Sequence, residues 1–521
     1  MTSGQPARST TGAVAADHAR LATAGTNALV ATALRTKSLY AREIVAERAW
    51  PGHTPAELDG WAAQQPSGLE PEMDPRSLMD YARLVAVQVA SQENRALARI
   101  ILALAVGEAA EEDLKPNYVE LLLNLHVVLG ERTAALSLLN HPKVRSDVRA
   151  SSEADLMNPW SHADQEPQAW FAAVERLMNT ERLLPLTLMA SDDPRRLGED
   201  TLFDRLTVQG AEAVTAPAKV TIIMSAFKPG LQLLTAVRSA MAQTWSNIEL
   251  LVIDDGSGPE YAATLDAAGA LDSRVRVIRK AVNGGTYRAR NTALRQLTGD
   301  FVMVLDSDDY LHPQAVEVLV RPLLKRDHLL ATRAMGVRVS ENLEFTRPGY
   351  RPRFTVATSL MFRFAGVVSR IGFFDTTYKG ADTEYLRRME AAFGPKRLRD
   401  ISEVLTIVRG GDTLSAAEFS NGWRHGARHE YKSSYGPWHK QIATGLAVLS
   451  WTRTRRVSSL NLGVGTAPPG RAWGQRAATT WCSLVTGDAM AARSAQCWKR
   501  SRPPKPQACA SASCTLRRCG L

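Results

Sequence analysis

The first 481 residues of this 521-residue chain contain no cysteine, and all five cysteines lie in the last forty residues. A cysteine-free body has no disulfide, which is typical of chains from a reducing compartment. The odd number of cysteines in the tail, without a C-x-x-C spacing, also argues against a zinc site there. No run of 18 apolar residues occurs, and the N-terminus lacks the apolar segment of a signal peptide. These absences predict a cytoplasmic protein.

The positive charge of the chain is concentrated at one end. The net charge is +10, but residues 440–521 carry thirteen Lys or Arg and a single acidic residue, Asp488. Residues 1–439 are therefore nearly neutral, although they make up most of the protein. An even charge balance gives this body no nucleic-acid signature, so no nucleic-acid partner is expected.

Composition and periodicity divide the chain into five segments. Residues 1–25 are rich in Ala, Thr, Ser and Gly without an apolar period and are predicted to be disordered. Residues 26–215 show apolar spacings of three and four, which predict an all-α domain, either an irregular bundle or a tetratricopeptide-like repeat. Residues 216–330 and 331–440 are interpreted as two halves of one α/β unit. Residues 441–521 form a basic, cysteine-containing tail, predicted to be disordered or to be translated from another reading frame.

The α/β prediction comes from short aliphatic runs separated by amphipathic stretches. "KVTIIMS", "IELLVIDDGS", "VRVIRK" and "FVMVLDSDD" each carry a compact apolar run without strict polar alternation. Such runs are typical of strands covered on both faces, and the stretches between them are typical of crossover helices. The fold class is therefore predicted to be α/β, with a doubly wound, mostly parallel sheet preceded by the helical domain.

Polar and acidic residues follow three of these strands. Ser225 and Phe227 end the first, Asp254 and Asp255 end the second, and the "DSDD" run beginning at Asp306 ends the fourth. Ligands of open parallel sheets bind at the carboxyl ends of the strands. Carboxylates with no soft ligand nearby suit Mg²⁺ or Mn²⁺, which bridge to substrate phosphates. The sequence thus predicts a polar ligand and a divalent cation at this edge.

Four blocks, in this order, carry a resemblance to a known family. "KVTIIMSAFKPG", "AVRSAMAQTWSNIELLVIDDGS", "NGGTYRARNTAL" and "TGDFVMVLDSDDYLHP" resemble the successive motifs of family 2 glycosyltransferases, which have the GT-A nucleotide-binding fold. The resemblance is dense over residues 218–315 and weaker to about 415. It implies transfer of a sugar, with inversion, from a nucleotide-sugar donor, usually a UDP-sugar, to the hydroxyl of a glycan or another acceptor.

The resemblance also implies roles for the donor-binding residues. Asp255 would accept a hydrogen bond from the nucleotide base, and Ser225 and Phe227 would line the base pocket. Arg290 would contact the donor, with a packing role at the start of a helix as the alternative. The family usually has an aromatic residue followed by Asn after the first strand, whereas this chain has Phe227 followed by Lys228, which leaves the detail of the pocket open.

The same resemblance assigns the metal ligands and the base. Asp306 would face the ribose and the metal, and Asp308 would ligate Mn²⁺ or Mg²⁺. The catalytic base of the family lies just before a helix, in a motif matched here by "GADTEYLRR", with Asp382 as the first candidate and Glu384 as the second. Asp309 is expected to be structural, as a cap for the helix after Pro313.

The sequence leaves two other classes of function to compare with a glycosyltransferase. The chain could be a non-catalytic interaction protein in which the helical region binds a protein partner and the transferase domain is degenerate. A nucleotidyltransferase is disfavoured because no Gly-rich, Lys-bearing phosphate loop follows the first strand. Peripheral association with a membrane is a further expectation for a transferase that builds a cell-surface polysaccharide.

Overall fold

The computed structural model describes most of the chain between residues 27 and 457. The described ranges are 27–36, 38–89, 91–178, 182–193, 201–377, 379–410, 427–446, 450–452 and 455–457. The predictions for residues 1–25 and for nearly all of 441–521 therefore fall outside the described residues.

The N-terminal region is a stack of helices, as the apolar spacing predicts. Ser38, Thr54, Asp74 and Ser91 each accept a backbone N–H bond at the start of a helix and so satisfy donors that the helix itself leaves free. The helices are α1 Asn27–Thr36, α2 Leu39–Ala49, α3 Pro55–Ala63, α4 Pro75–Gln88, α5 Gln92–Glu108, α6 Pro116–Val128, α7 Arg132–Leu139, α8 Ser146–Leu156 and α9 Pro167–Met178.

Helix does not continue to residue 215, and the sequence-based prediction is wrong on this point. After α9 the chain forms β1 (Leu186–Leu188) and β2 (Leu206–Val208), which pair antiparallel, with a 3₁₀ turn at Phe203–Arg205 just before β2. The physical reason lies in packing: Leu186, Phe203 and Leu206 are buried in the same apolar cluster as residues of the main sheet. Tertiary contacts of this kind override a weak local preference.

The main sheet is built from nine strands of the described residues, with helices on both faces. Its strand order is β5-β4-β3-β6-β10-β8-β11-β7, with β9 paired to β8. The strands are β3 Val220–Ala226, β4 Ile248–Asp254, β5 Val275–Arg279, β6 Phe301–Asp306, β7 Tyr310–Leu311, β8 Ala331–Val339, β9 Arg353–Thr355, β10 Met361–Arg363 and β11 Leu398–Arg409. The helices are α10 Gln232–Met241, α11 Ala262–Ala270, α12 Thr286–Leu294, α13 Ala315–Lys325, α14 Phe364–Ile371, α15 Ala381–Phe393 and α16 Ala427–Ala443. A short antiparallel pair, β12 Ser450–Thr452 and β13 Arg455–Val457, follows.

The predicted doubly wound α/β architecture is confirmed, but the sheet is mixed rather than mostly parallel. β5, β4, β3 and β6 run parallel, whereas β10 pairs antiparallel with both β6 and β8. Apolar residues on one face of the sheet share a core cluster with α10 and α13, and those on the other face share a cluster with α12, α14 and α15. Burial on both faces explains why these strands are continuous aliphatic runs.

The helical region is packed directly against the second half of the sheet. Asp155, at the end of α8, accepts the backbone N–H groups of Phe345 (2.7 Å) and Thr346 (2.6 Å). A Cβ added at Gly349 would lie 2.6 Å from Val87 of α4, and φ at Gly349 is +81°, so only glycine suits this close approach. The loop between β8 and β9 is thus held by the helices. Within the described residues, no helix has both the length and the hydrophobicity to span a bilayer.

Candidate active site

The carboxyl ends of the parallel strands meet at one edge of the sheet. Ser225 on β3 lies opposite Asp306 on β6, and Ala226 on β3 lies opposite Asp254 on β4. β8 and β11 run parallel to each other and bring Arg409 beside Val339 at their ends. The polar residues that the sequence analysis placed at strand ends are therefore neighbours in space.

Hydrogen bonds hold the end of β3 and the turn after it in place. The Ser225 hydroxyl lies 2.5 Å from the Thr286 hydroxyl at the start of α12. Lys228 has a left-handed backbone (φ 50°), and its N–H donates to the Ser257 hydroxyl at 2.8 Å. Its ammonium group lies 5.5 Å from the centroid of the half-buried Phe227 ring. Phe227 and Lys228 therefore border the edge where the base pocket was predicted.

Asp255 is buried, and its carboxylate already has several donors. It accepts the N–H groups of Gly284 (3.1 Å) and Gly285 (2.6 Å) and pairs with the Lys280 ammonium group. A Cβ at Gly256 would lie 2.7 Å from the backbone nitrogen of Asn283, so this turn and the loop at 280–285 are in close contact. Asp255 thus holds that loop in place, a role that the sequence analysis missed, beside its predicted contact with a base.

Asp306 is paired with Arg290, but the two side chains differ sharply in exposure. Arg290 Nη2 donates to Asp306 Oδ1 at 2.7 Å, and the Arg290 side chain is only 4% exposed, whereas that of Asp306 is 44% exposed. The guanidinium also lies 5.2 Å from the centroid of the Tyr287 ring. Arg290 therefore sits behind Asp306 and orients it, which matches the packing alternative better than a direct donor contact.

Asp308 lies in the turn after β6, and its carboxylate has no ion-pair partner among the residues that the structure describes. Burial first, and then the charge of Asp306, raises the pKa of Asp308 to about 6. A half-buried carboxylate beside a second negative charge favours a bound cation.

Asp309 has the structural role that was predicted, though not as a helix cap. It is buried, and its carboxylate accepts the backbone N–H of Arg409 at 3.1 Å. α13 begins instead after Gln314, with no side-chain cap. Burial, followed by the charges of Asp308 and Asp306, raises the pKa of Asp309. This hydrogen bond joins the acidic turn, residues 306–309, to the end of β11.

The carboxylates of Asp306 and Asp308 suit a magnesium or manganese ion whose remaining ligands come from a substrate and from water. No cluster of three or more His, Cys, Asp or Glu suited to a metal occurs in the part of the chain that the structure describes. Mg²⁺ sites of phosphate-handling enzymes commonly use only one or two carboxylates, with phosphates and water as the other ligands. Asp306 and Asp308 supply two such carboxylates, and their charge is only partly offset by Arg290.

Asp382 lies in the first turn of α15 and on the same side of the fold as Asp306. One of its oxygens accepts the Thr383 N–H at 2.6 Å, and the other accepts no hydrogen bond from the described residues. Burial raises the pKa of the Tyr287 hydroxyl, the Asp382 charge raises it further, and the Asp306 charge adds a smaller effect. Both carboxylates therefore lie close enough to Tyr287 for their charges to act on its hydroxyl. The sequence analysis missed this residue, although "NGGTYRARN" contains it.

Glu384, the second candidate for the base, lies in the protein interior. Its two oxygens accept from Arg388 at 2.9 and 2.6 Å, and the His439 ring nitrogen Nε2 lies 3.0 Å away. Both Glu384 and Arg388 are fully buried. Residues two apart on a helix point about 200° apart, so Glu384 faces away from the side on which Asp382 is half-exposed. The burial and ion pair of Glu384 therefore favour Asp382, the first candidate, over Glu384 as the base.

Comparisons with known proteins identify the segment that carries this edge. Residues 221–375 match the model of the family described as "Glycosyl transferase family 2". This segment is a family 2 glycosyltransferase domain. The glycosyltransferase GlyG of Streptococcus pneumoniae serotype 4 is 29% identical over 108 residues, which cover 21% of this chain and 36% of that protein. The chondroitin synthase of Pasteurella multocida strain Pm70 is 31% identical over 137 residues, which cover 26% of this chain and 14% of that protein.

The match is confined to part of each relative. This chain spans about a third of the length of GlyG and less of the chondroitin synthase. Among solved structures, residues 1–349 of TarS from S. aureus, in complex with UDP-GlcNAc, share 16% sequence identity with a TM-score of 0.33, covering 44% of this chain and 71% of that chain. Asp382, Glu384 and Arg409 lie beyond the residues that the family model matches.

Proposed function

We propose that this chain is an inverting glycosyltransferase that uses a nucleotide-sugar donor, by family resemblance a UDP-sugar, and the hydroxyl of a glycan or another acceptor. The observation that carries the proposal is the carboxylate of Asp308, which has no ion-pair partner among the described residues and lies near Asp306 at the ligand edge of the sheet. Asp382, whose charge acts on the same Tyr287 hydroxyl as that of Asp306, is the proposed base. Family membership supports the type of reaction.

In this proposal the chain's own residues position the two reactants. Asp306, held by Arg290, and Asp308 would ligate Mn²⁺ or Mg²⁺, which when bound stabilises negative charge on the departing diphosphate. The half-exposed Asp382 keeps one oxygen clear of the described hydrogen bonds, so it can accept the proton of the acceptor hydroxyl. The acceptor oxygen bonds to the anomeric carbon as the bond to the diphosphate oxygen breaks. A single displacement inverts that carbon.

A thermal unfolding titration tests the donor and the metal together. UDP with Mn²⁺ should raise the melting temperature of the wild-type chain, UDP without a divalent cation should raise it less, and Asp308→Ala should remove the metal-dependent part. Asp400→Ala is a matched control, because Asp400 is an exposed aspartate that pairs with Arg333 on the surface. The proposal fails if no nucleoside diphosphate shifts the wild-type melting temperature in the presence of Mn²⁺ or Mg²⁺.

A screen for slow donor hydrolysis then identifies the sugar. Hydrolysis needs water as the only acceptor, so it requires no knowledge of the natural acceptor. We expect one or a few nucleotide-sugars to be cleaved in a metal-dependent reaction that is lost in Asp308→Ala and retained in Asp400→Ala. Equal cleavage by wild type and Asp308→Ala would assign the reaction to a contaminant.

A non-catalytic role is the second candidate, and one observation favours it. The oxygens of Asp255 already receive Lys280, Gly284 and Gly285, so a nucleotide base would have to share or displace these donors. In that case the helical region would bind a protein partner, and the titration above would show a well-folded chain without any nucleotide response. A peripheral membrane contact and a cytoplasmic location also stay predictions.

A further inference from the structure

A short segment that precedes the matched family domain reaches the acidic turn from inside the protein. Asp204 lies in the 3₁₀ turn at Phe203–Arg205, ahead of the matched residues 221–375. Its carboxylate is buried and accepts hydrogen bonds from the hydroxyl groups of Thr235 (2.6 Å) and Thr201 (2.7 Å). Its backbone carbonyl accepts from Arg238 Nη2 at 2.6 Å. The segment is therefore anchored to α10 by polar bonds as well as by packing.

The main partner of Asp204 is Arg409, 205 residues further along the chain. Both terminal nitrogens of the Arg409 guanidinium donate to the Asp204 carboxylate, and the guanidinium lies 4.1 Å from the centroid of the Phe203 ring. Burial by itself would raise the pKa of Asp204, but the hydrogen bonds from Arg409, Thr235 and Thr201 lower it below its usual value. The pair is thus a charged one, in a largely buried place.

Arg409 also touches the turn that carries the candidate metal ligand. Its backbone N–H donates to Asp309 Oδ1 at 3.1 Å, and its side-chain Nε donates to the backbone carbonyl of Asp308 at 3.3 Å. Glu341 Oε1 lies 3.5 Å from Nη1, but that carboxylate is half-exposed. One arginine therefore links the segment at 201–206, the end of β11 and the acidic turn.

We infer that Arg409 is a positioning residue for Asp308 and that Asp204 keeps the Arg409 charge directed away from the metal-binding carboxylates. Asp306 and Asp308, the two candidate metal ligands, lie in the same turn as the backbone carbonyl that Arg409 contacts. Without Asp204, the guanidinium would gain most by turning toward Asp308, where it would compete with a cation. The inference rests on the proposed function, and it makes residues 201–206 part of the site.

The test uses the full chain with Asp204→Asn, Arg409→Met, the double variant and the control Asp400→Asn. The measured quantity is the Mn²⁺ concentration that gives half of the UDP-induced rise in melting temperature. Asp204→Asn should raise this concentration about tenfold, since it frees the arginine charge beside Asp308. The double variant should return to within about threefold of wild type, because the competing charge is gone. A merely structural role predicts the opposite, with the double variant at least as impaired as Asp204→Asn.

Hydrogen exchange of the ligand-free protein provides a measurement that does not depend on nucleotide binding. Amides in residues 306–312 should exchange faster in Asp204→Asn and Arg409→Met than in wild type or Asp400→Asn. If wild type shows no nucleotide response, the proposed function fails, and the exchange data alone decide whether Arg409 positions the turn. Unchanged exchange in both variants, or an unchanged Mn²⁺ midpoint in Asp204→Asn, would overturn the inference. Arg409→Gln, which also removes the charge, replaces Arg409→Met if the latter does not fold.

Discussion

The acidic turn after β6 and the first two turns of α15 both bury carboxylates, but they balance the negative charge in different ways. Glu384 on α15 is matched by Arg388 in a two-bond ion pair, with His439 beside it. Asp308 in the turn has no such partner among the described residues, and its pKa is raised to about 6. A buried charge with an internal partner belongs to the fold, whereas one without a partner indicates a ligand.

The same contrast separates the two candidates for the base. Asp382 and Glu384 are two residues apart in sequence, yet only the charge of Asp382 acts on the Tyr287 hydroxyl together with that of Asp306, and only Asp382 is half-exposed. We therefore expect Asp382 and Glu384 to respond in opposite ways to similar substitutions, one in rate and the other in stability. Five experiments test this comparison, in order of decreasing effect.

Asp382→Asn should produce the largest effect. Losing a general base lowers the rate of the chemical step by about 10²- to 10⁴-fold, while the melting temperature should change little because Asp382 is only half-buried. Steady-state assays of donor turnover measure the rate, and thermal unfolding measures the stability. A comparable loss of rate in a fully stable Glu384→Gln protein would instead make Glu384 the base.

Glu384→Gln should destabilise the fold. The substitution removes the carboxylate that makes two bonds to the buried Arg388 guanidinium and leaves, among the described ion pairs, only the longer contact with Asp375, at 3.7 Å. Breaking a buried pair costs about 3–5 kcal/mol. Urea unfolding of the ligand-free protein measures this loss in the free energy of unfolding. The double variant Glu384→Leu with Arg388→Leu is the control, because removing both charges should recover much of the stability. An unchanged urea midpoint in Glu384→Gln would refute the structural role.

Metal binding should weaken in acid with a midpoint set by Asp308. Because its pKa is raised to about 6 in the folded protein, Asp308 is mostly protonated at pH 5 and mostly ionised at pH 7. A ligand that must lose a proton to bind a cation then gives Mn²⁺ affinity about tenfold lower at pH 5 than at pH 7. Titration calorimetry with Mn²⁺ and UDP measures the affinity, and equal affinities at the two pH values would contradict the assignment.

The same pKa shift has a consequence for stability without metal. A folded-state pKa above the model value of 3.8 means that the folded protein holds the proton more tightly than the unfolded chain. The Asp308 contribution to stability is therefore full below about pH 4 and is lost as the pH rises through about 6. Asp308→Asn should remove this part of the pH dependence in urea unfolding curves of the ligand-free protein.

Tyr385→Phe should have the smallest effect. The Tyr385 hydroxyl on α15 donates to the Gly372 carbonyl at 2.9 Å within the core, and losing a neutral hydrogen bond costs about 1 kcal/mol. Urea unfolding should detect this loss, while the Mn²⁺ midpoint of the UDP response should match wild type. A shifted midpoint would mean that the interior face of α15 also controls the metal site.

Much of the ligand edge could be predicted from sequence because its signals are local. The aliphatic runs of β3, β4 and β6 and the acidic residues after them stand next to each other in the chain, and parallel strands must bring such ends together. The alternation of strands and helices likewise predicts helices on both faces of the sheet, as the structure has them. The antiparallel insertion of β10 between β6 and β8 has no comparable local signature.

The errors arose where the environment of a side chain, rather than its identity, decides its role. The motif made Glu384 a candidate together with Asp382, but on the helix the Glu384 side chain points into the core, where it pairs with Arg388. For Arg290 the sequence left a donor contact and a packing role open, and its burial beside Asp306 favours packing. The end of the helical region was missed because Phe203 and its neighbours fold against residues more than a hundred positions away.

By itself the sequence determined the α/β sheet, the family to which residues 221–375 belong, and the carboxylates at the strand ends, since each is written in a contiguous stretch. Tertiary structure alone decided which charges are neutralised within the protein. Arg388 neutralises Glu384 and Arg409 neutralises Asp204, whereas the Asp308 carboxylate has no ion-pair partner among the described residues. The free energy of a buried charge depends on the partners within a few ångströms, and those partners can lie anywhere along the chain.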